Sequence, residues 1–89
     1  MKQDMLIKEL AQTVVKIKDA QKATAFLHAI LTPAELEQIA QRLQIFRLLI
    51  KGVPQREISK QLGVSIGTIT HGSRELKYGS AREIEAILK

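Results

Sequence analysis

Apolar residues recur three or four positions apart along most of this 89-residue chain, which is the spacing of amphipathic helices. Glycine, proline and small capping residues interrupt the pattern, and essentially no stretch has the character of a strand. The sequence therefore predicts an all-α fold with six helices, the last of them capped by Ser80. The helices are predicted over residues 3–18, 20–30, 33–51 and 55–61, from Ile66 to the break at 78–80, and over 81–88.

The third predicted helix is the most apolar segment of the chain. Thr32 is expected to cap its start, Pro33 to occupy its first turn, and Gly52 to end it. From Leu43 onward its apolar residues cover nearly the whole circumference. Helices with this pattern are buried on all sides, so we expect residues 43–50 to form a central, doubly buried segment.

Residues 55–76, QREISKQLGVSIGTITHGSREL, predict two short helices hinged at Gly63. Glycine allows the left-handed conformation that ends a helix in a tight turn, and Ser65 is suited to cap the second helix. This pattern is typical of a helix-turn-helix, although an ordinary helical hairpin has the same spacing. The apolar residues expected to pack the two helices together are Ile58, Leu62, Val64 and Ile69.

In a DNA-binding helix-turn-helix, the first residues of the second helix face base edges in the major groove. Here those positions carry mostly small side chains: Ser65, Ile66, Gly67, Thr68 and Thr70. Gln55 and Arg56 begin the first motif helix, where a phosphate binds favourably. Ser73 and Lys77 lie farther along the second helix as candidate contacts to the DNA backbone. Few of these side chains can bind a base in a bidentate way, so we expect readout through water or DNA shape.

The excess positive charge lies entirely in the half of the chain that carries the motif. Residues 1–41 hold five lysines against five acidic residues, whereas residues 42–89 hold nine basic residues against four acidic ones. The formal net charge of +5 therefore belongs to the second half. This segregation is expected of a surface apposed to phosphates, and a generic solvated surface does not need it. The charge distribution favours DNA as the partner.

Size and composition predict an assembly of more than one chain. A domain of 89 residues is close to the size at which a single core is marginal, yet 45% of the residues are hydrophobic. The surplus is expected to be buried in a homodimer. No apolar run is long enough to span a membrane and the N-terminus lacks signal-peptide character, so we expect a cytoplasmic protein. The N-terminal helices are also compatible with a membrane surface, but mixed charges and the lack of tryptophan favour packing in a core or dimer.

The sequence has no pattern that indicates catalysis or metal binding. It contains no cysteine, and its two histidines, His28 and His71, are 43 positions apart. Catalytic triads, carboxylate pairs and phosphate-binding glycine loops are not evident. We therefore expect neither an enzyme, nor a cofactor, nor a metal, and we interpret His28 as a surface or packing residue.

Three motifs in this order resemble the bacterial tryptophan repressor family: ILTPAELEQIAQR, then GVPQREIS, then LGVSIGTIT followed by GS and LK. The resemblance covers about residues 25–89. It implies a six-helix intertwined homodimer with residues 1–52 as dimerisation core, 54–77 as helix-turn-helix and 80–89 as C-terminal helix. It also implies a transcriptional repressor that binds operator DNA when L-tryptophan, its corepressor, lies beside the second motif helix.

The same resemblance implies a ligand pocket. Two positions depart from the family pattern, because His71 stands where the family has arginine and Glu75 where it has serine. The histidine replaces a permanent bidentate partner for a carboxylate by a ring that is mostly neutral at pH 7. Glu75, in turn, is able to pair with the ammonium group of an amino acid, so the net effect on ligand affinity stays open. The matching positions are Leu31, Thr32, Arg42, Thr68 and Gly72.

Two more departures concern DNA, and several alternatives stay open. Ser59 replaces the family's lysine in the first motif helix, and Arg74 replaces a shorter polar residue and is a candidate to compensate. Arg42 and His71 are also compatible with ordinary surface residues of the basic half. The rival functions are a ligand-independent or other-ligand helix-turn-helix protein of the same superfamily, such as part of a replication initiator or transposase, and a protein-interaction domain that binds an acidic partner.

Overall fold

The computed structural model describes residues 1–79 and 81–88, and every regular element in that part of the chain is a helix. This confirms the predicted all-α class, while the predicted cap Ser80 lies outside the described residues. The chain groups into two compact units, Met1–Leu36 and the residues from Glu37 onward. The helices are α1 (Gln3–Val14), α2 (Ala20–Ile30), α3 (Pro33–Ile50), α4 (Gln55–Leu62), α5 (Ile66–Tyr78) and α6 (Arg82–Leu88).

The first helix is shorter than predicted, because α1 ends at Val14. The backbone amides of Lys16 and Ile17 bond to carbonyls three residues back, which tightens the last turn. Asp19 then adopts an extended conformation and caps α2 by accepting a hydrogen bond from the Lys22 amide at 2.8 Å. Asp19 therefore separates α2 from α1, and residues 15–18 form the connection between the two helices.

The start of α3 is fixed by the predicted cap. Thr32 Oγ1 accepts a hydrogen bond from the Glu35 amide at 3.2 Å, and Glu35 Oε1 accepts one from the Thr32 amide at 2.9 Å. This reciprocal capping box satisfies two backbone donors at the helix end. The Thr32 backbone amide, and after it the Thr32 hydroxyl, hold the pKa of the Glu35 carboxyl below its usual value because both stabilise the ionised form.

The first unit consists of helices without a buried core. Neither α1 nor α2 contains a buried residue. Within the described residues, the helices of this unit are therefore held by backbone hydrogen bonds and caps, while their apolar faces stay open. The large apolar side chains exposed on them are Met5, Leu6, Ile7, Leu10, Val14, Leu27 and Ile30.

The second unit has a core of its own. Ile45 of α3, Ile58 of α4 and Ile69 of α5 form one buried cluster, and the last two are fully inaccessible to solvent. Full burial of one such side chain stabilises a fold by about 1.5–3 kcal/mol. The predicted contact between the two motif helices is confirmed. Partly buried apolar side chains that pack against the cluster include Leu48, Leu49, Val53, Leu62 and Val64.

Within the single chain α3 is buried on one side only, and burial of its other side stays a prediction for the homodimer. Ile45 and Phe46 are buried, but Leu43 is 38% exposed and the last residues of the helix are only half-buried. The cluster with α4 and α5 forms on the side of α3 that carries Ile45, which leaves Leu43 in contact with solvent.

Two glycines end helices in the left-handed conformation, as was predicted for Gly63. Gly52 has φ 83° and follows α3, where the Val53 amide bonds to the Leu48 carbonyl and the Gly52 amide to the Leu49 carbonyl. This pair of bonds is the Schellman arrangement. Gly63 has φ 67° and ends α4. The turn that follows is short enough to bring α5 directly against α4.

Two kinds of feature are missing from residues 1–79 and 81–88. No helix there has the length and apolar character needed to cross a membrane. No group of three or more histidine, aspartate or glutamate side chains comes together there as a metal site would require.

Candidate functional site

The N-terminus of α5 carries an ordered pair of hydroxyl groups. Ser65 Oγ accepts a hydrogen bond from the Thr68 amide at 3.1 Å, which confirms the predicted cap. Ser65 Oγ and Thr68 Oγ1 also share a hydrogen bond of 2.8 Å. Both residues are exposed, so the cap presents two positioned hydroxyl groups at the helix end that was predicted to face DNA.

The turn between α4 and α5 is braced by a residue whose role the sequence interpretation missed. Ser59 Oγ donates a hydrogen bond of 2.6 Å to the Val64 carbonyl, in a partly buried position. The sequence had indicated only that Ser59 lacks the charge of the family's lysine. A hydroxyl residue four positions before the helix-ending Gly63 is the signal that could have suggested this brace.

A second hydrogen bond joins the two motif helices at the surface. Thr70 Oγ1 of α5 donates to Gln55 Oε1, at the first residue of α4, over 3.0 Å. The two residues are 15 positions apart in the chain, and the packing of α4 on α5 brings them together. Both were predicted to contact DNA, but as separate residues.

A cleft with a volume of about 1090 Å³ runs along α5 in the second unit. Part of its surface is apolar and part carries charged or titratable groups. Concave sites that combine an apolar wall with a few polar groups are typical of small-molecule binding. The lining residues are Gln38, Gln41, Arg42, Ile45, Phe46, Val64, Ser65, Gly67, Thr68, His71, Gly72, Glu75, Ala81 and Ile84.

The cleft brings together five of the seven predicted ligand residues, namely Arg42, Thr68, His71, Gly72 and Glu75. The other two belong to the first unit and are not among its lining residues. Leu31 ends α2 in an extended conformation, and Thr32 caps α3. Ala81, just before α6, and Ile84, within α6, also line the cleft, and neither was predicted to do so.

Gly72 allows α5 to approach α3 closely. A Cβ atom at this position would lie 3.2 Å from Ile45 Cγ2 and 3.7 Å from both Leu49 Cδ1 and Phe46 Cε1. The resemblance implied that this glycine admits a ligand ring, and the structure adds that it also permits tight helix packing. Gly67, one and a half turns earlier, has open space, because its Cβ would meet only Ser65 Oγ, at 3.9 Å.

The predicted DNA-contacting residues lie mostly at the surface of the second unit. Arg56, Arg74 and Lys77 are exposed, as is the start of α5, where Ile66 is 47% exposed. Gln55 and Ser73 are half-buried. Pro54 precedes α4 without a side-chain cap. Three residues from the DNA prediction also line the cleft: Ser65, Gly67 and Thr68.

Comparison with known proteins shows similarity along nearly the whole chain. The family model described as Trp repressor protein matches residues 5–89. A Trp operon repressor homolog of Vibrio parahaemolyticus is 40% identical over 76 residues, which cover 84% of this chain and 74% of that protein. A homolog of Vibrio vulnificus is 51% identical over 55 residues, covering 61% of this chain and 54% of that protein. No solved structure is a significant match.

A third relative has the same description and comes from another bacterium. The Trp operon repressor homolog of Actinobacillus succinogenes is 51% identical over 57 residues, 63% of this chain and 56% of that protein. The family consists of DNA-binding regulators and not of enzymes, which confirms the expectation that the chain is not an enzyme. With a match over residues 5–89 and these relatives, the chain belongs to the Trp repressor family of transcriptional regulators.

Proposed function

We propose that this chain is a homodimeric repressor that binds operator DNA and is activated by L-tryptophan as its corepressor. The observation that carries the proposal is the overlap of two surfaces. Ser65, Gly67 and Thr68 line the cleft and also form the exposed start of α5. A molecule in the cleft would therefore contact the same helix that would enter the major groove.

The groups around the cleft suit an amino acid with a large apolar side chain. Ile45, Phe46 and Ile84 provide apolar surface for an indole ring. Arg42 provides a guanidinium group that can bind a carboxylate in a bidentate way or lie over an aromatic ring. His71 adds a hydrogen-bonding ring, and Glu75 adds a carboxylate suited to an ammonium group.

Ligand binding would act on a helix segment with poor intrinsic stability. Residues 66–72 contain two glycines, each about 1 kcal/mol less favourable in a helix than alanine, together with four β-branched residues. A ligand that packs on this segment stabilises one arrangement of it relative to others, which is a shift of population. We assign the partner's Leu31 and Thr32 to the closing wall of the pocket, as the resemblance implies.

The dimer would cover the apolar faces of the first unit. Leu6, Leu10 and Val14 are four positions apart along α1 and are exposed, so they form one stripe. Burial of such a stripe contributes about 25 cal/mol per Å², and a second copy of the chain supplies a matching surface through two-fold symmetry. We assign residues 1–52 to dimerisation and 54–77 to DNA binding, in the bacterial cytoplasm where the operator lies.

Calorimetric titration with L-tryptophan, followed by DNA binding with and without it, tests the proposal. The DNA is a duplex selected from a random library in the presence of L-tryptophan. We expect saturable ligand binding and an operator affinity that rises with ligand and falls steeply with salt. Arg42→Ala should weaken L-tryptophan binding at least about tenfold, since a charged partner is lost.

Arg47→Ala is the matched control, because Arg47 is exposed on the same helix and does not line the cleft. It should leave ligand affinity unchanged, and His71→Arg should raise it. Selective DNA binding with an affinity that L-tryptophan does not change would instead indicate the ligand-independent alternative. Binding of a different amino acid would indicate another ligand. Failure to bind any duplex would exclude the DNA function itself.

A further inference from the structure

The hydrogen bond between Thr70 and Gln55 has a direction that restricts what each side chain can do. The Thr70 hydroxyl has one hydrogen, and it is directed to Gln55 Oε1 at 3.0 Å. Thr70 is exposed and Gln55 half-buried. The bond is separate from the cap formed by Ser65 and Thr68, so it does not serve the start of α5.

The bond from Thr70 leaves the Nε2 hydrogens of the Gln55 amide available as donors. Because Oε1 faces the threonine, the two hydrogens of Gln55 Nε2 lie at the opposite end of the amide group. A glutamine that reads adenine uses oxygen and nitrogen together, as acceptor and donor. One of the two lone pairs of Gln55 Oε1 is engaged by Thr70, which fixes the amide, and its Nε2 can donate to a partner that offers only acceptors, such as a phosphate oxygen. The first helix of a helix-turn-helix crosses the DNA backbone, and Gln55 begins that helix.

We propose that Thr70 is a positioning residue, which orients the Gln55 amide so that Nε2 donates to a DNA phosphate, and that Thr70 does not itself read a base. The proposal rests on the proposed DNA binding and replaces the sequence-based expectation that Thr70 faces a base edge. An amide that is already immobilised loses less rotamer freedom when DNA binds. Loss of the hydroxyl should therefore weaken DNA binding by about three- to tenfold.

A double-mutant cycle on DNA affinity is the test. Thr70→Val keeps the shape of the side chain and removes the donor, and Gln55→Ala removes the amide. We expect each to weaken binding to the operator and to a scrambled duplex by similar factors, and the double variant to be no weaker than Gln55→Ala. Thr70→Ser should restore affinity because it restores the hydroxyl. Thr13→Val is the matched control, since Thr13 donates only within its own helix, to the Glu9 carbonyl at 2.8 Å.

The salt dependence separates positioning from a general disturbance of the fold. A neutral amide releases no counterion, so Thr70→Val should keep the wild-type slope of affinity against salt, whereas Arg56→Ala should flatten it by about one unit. A flattened slope in Thr70→Val would mean that the whole start of α4 has moved, and would overturn the proposal. Thermal unfolding identifies a variant that does not fold, in which case Thr70→Ala takes its place in the cycle.

Two other outcomes would also overturn it. If Thr70→Val weakened binding to the operator but not to the scrambled duplex, Thr70 would read a base. Additive losses of affinity in the double variant would show that the two residues act independently. A wild-type protein that binds neither duplex would reject the DNA function and is recognisable before any variant is made.

Discussion

Both units of the chain are helical, but only one of them has a buried core. In the second unit Ile58 and Ile69 are fully buried, whereas α1 and α2 have no buried residue. Helix starts in both units are nevertheless capped by side chains, as Asp19 and Ser65 show. Local chemistry is therefore enough to place a helix, but most helical stability in proteins comes from packing of its apolar face.

The stability of the two units should therefore depend on different contacts. The second unit can hold the cleft and the exposed start of α5 in place through its own cluster of Ile45, Ile58 and Ile69. The first unit leaves the α1 stripe exposed, and its stability should depend on a second copy of the chain. Variants that affect one unit and spare the other test this comparison.

The largest effect is expected from a charge placed on the α1 stripe. Leu10→Asp would bury a carboxylate in the proposed dimer interface, which is strongly unfavourable without a partner. We expect this variant to sediment as a species near the chain mass of 10.0 kDa, and we expect the wild type to sediment as a dimer. Gln12→Asp adds the same charge on the opposite side of α1 and should remain dimeric. A dimer that survives Leu10→Asp would remove α1 from the interface.

The next effect is expected in the core of the second unit. Ile69→Ala leaves a cavity beside Ile45 and Ile58 and should lower the free energy of unfolding by about 2–5 kcal/mol in urea titration. Ile66→Ala, on the same helix at a site that is 47% exposed, should stay within about 0.5 kcal/mol of the wild type. The loss from Ile69→Ala should persist in the Leu10→Asp background, because the cluster belongs to one chain. Equal losses from Ile69→Ala and Ile66→Ala would contradict this description of the core.

The sequence predicted the helices well where local chemistry decides their ends. The predicted helix ends are confirmed at Thr32, Ser65 and Gly63. Each of these residues acts through its own side chain or backbone conformation. The end of α1 was placed too late because the hydrophobic pattern continues past Val14, whereas the amides of Lys16 and Ile17 bond only three residues back and no longer extend the α-helix. Leu43 is exposed in the single chain, since a pattern indicates which side chains are apolar but not which chain covers them.

The candidate site was predicted less completely than the fold. Resemblance identified five residues that line the cleft, but Leu31 and Thr32 lie in the other unit, and their role stays a prediction. The bonds from Thr70 to Gln55 and from Ser59 to Val64 were not foreseen. Contacts of this kind depend on how two helices pack, which a hydrophobic pattern does not specify.

A smaller effect is expected at the two glycines of α5, where the same substitution meets different surroundings. Gly67→Ala has open space and should raise the free energy of unfolding by about 1 kcal/mol, the helix propensity difference between alanine and glycine. Gly72→Ala gains the same propensity but places Cβ 3.2 Å from Ile45 Cγ2, so it should gain less or lose stability. Urea titration of both variants measures the difference. An equal gain at both positions would show that α5 moves away from α3 without cost.

The smallest effect is expected from pH at the start of α3, where the two units meet in sequence. Hydrogen bonds from Thr32 lower the pKa of Glu35 in the folded chain below its unfolded value. The capping box therefore contributes stability above the unfolded pKa, and this contribution is lost as the pH falls through the folded pKa. Glu35→Gln keeps an acceptor for the Thr32 amide but does not titrate. In thermal unfolding the melting temperature of the wild type should exceed that of this variant at neutral pH. The gap should close in acid because the protonated glutamate then resembles glutamine. A gap that stays constant from neutral to acid pH would show that ionisation of Glu35 does not contribute to the cap.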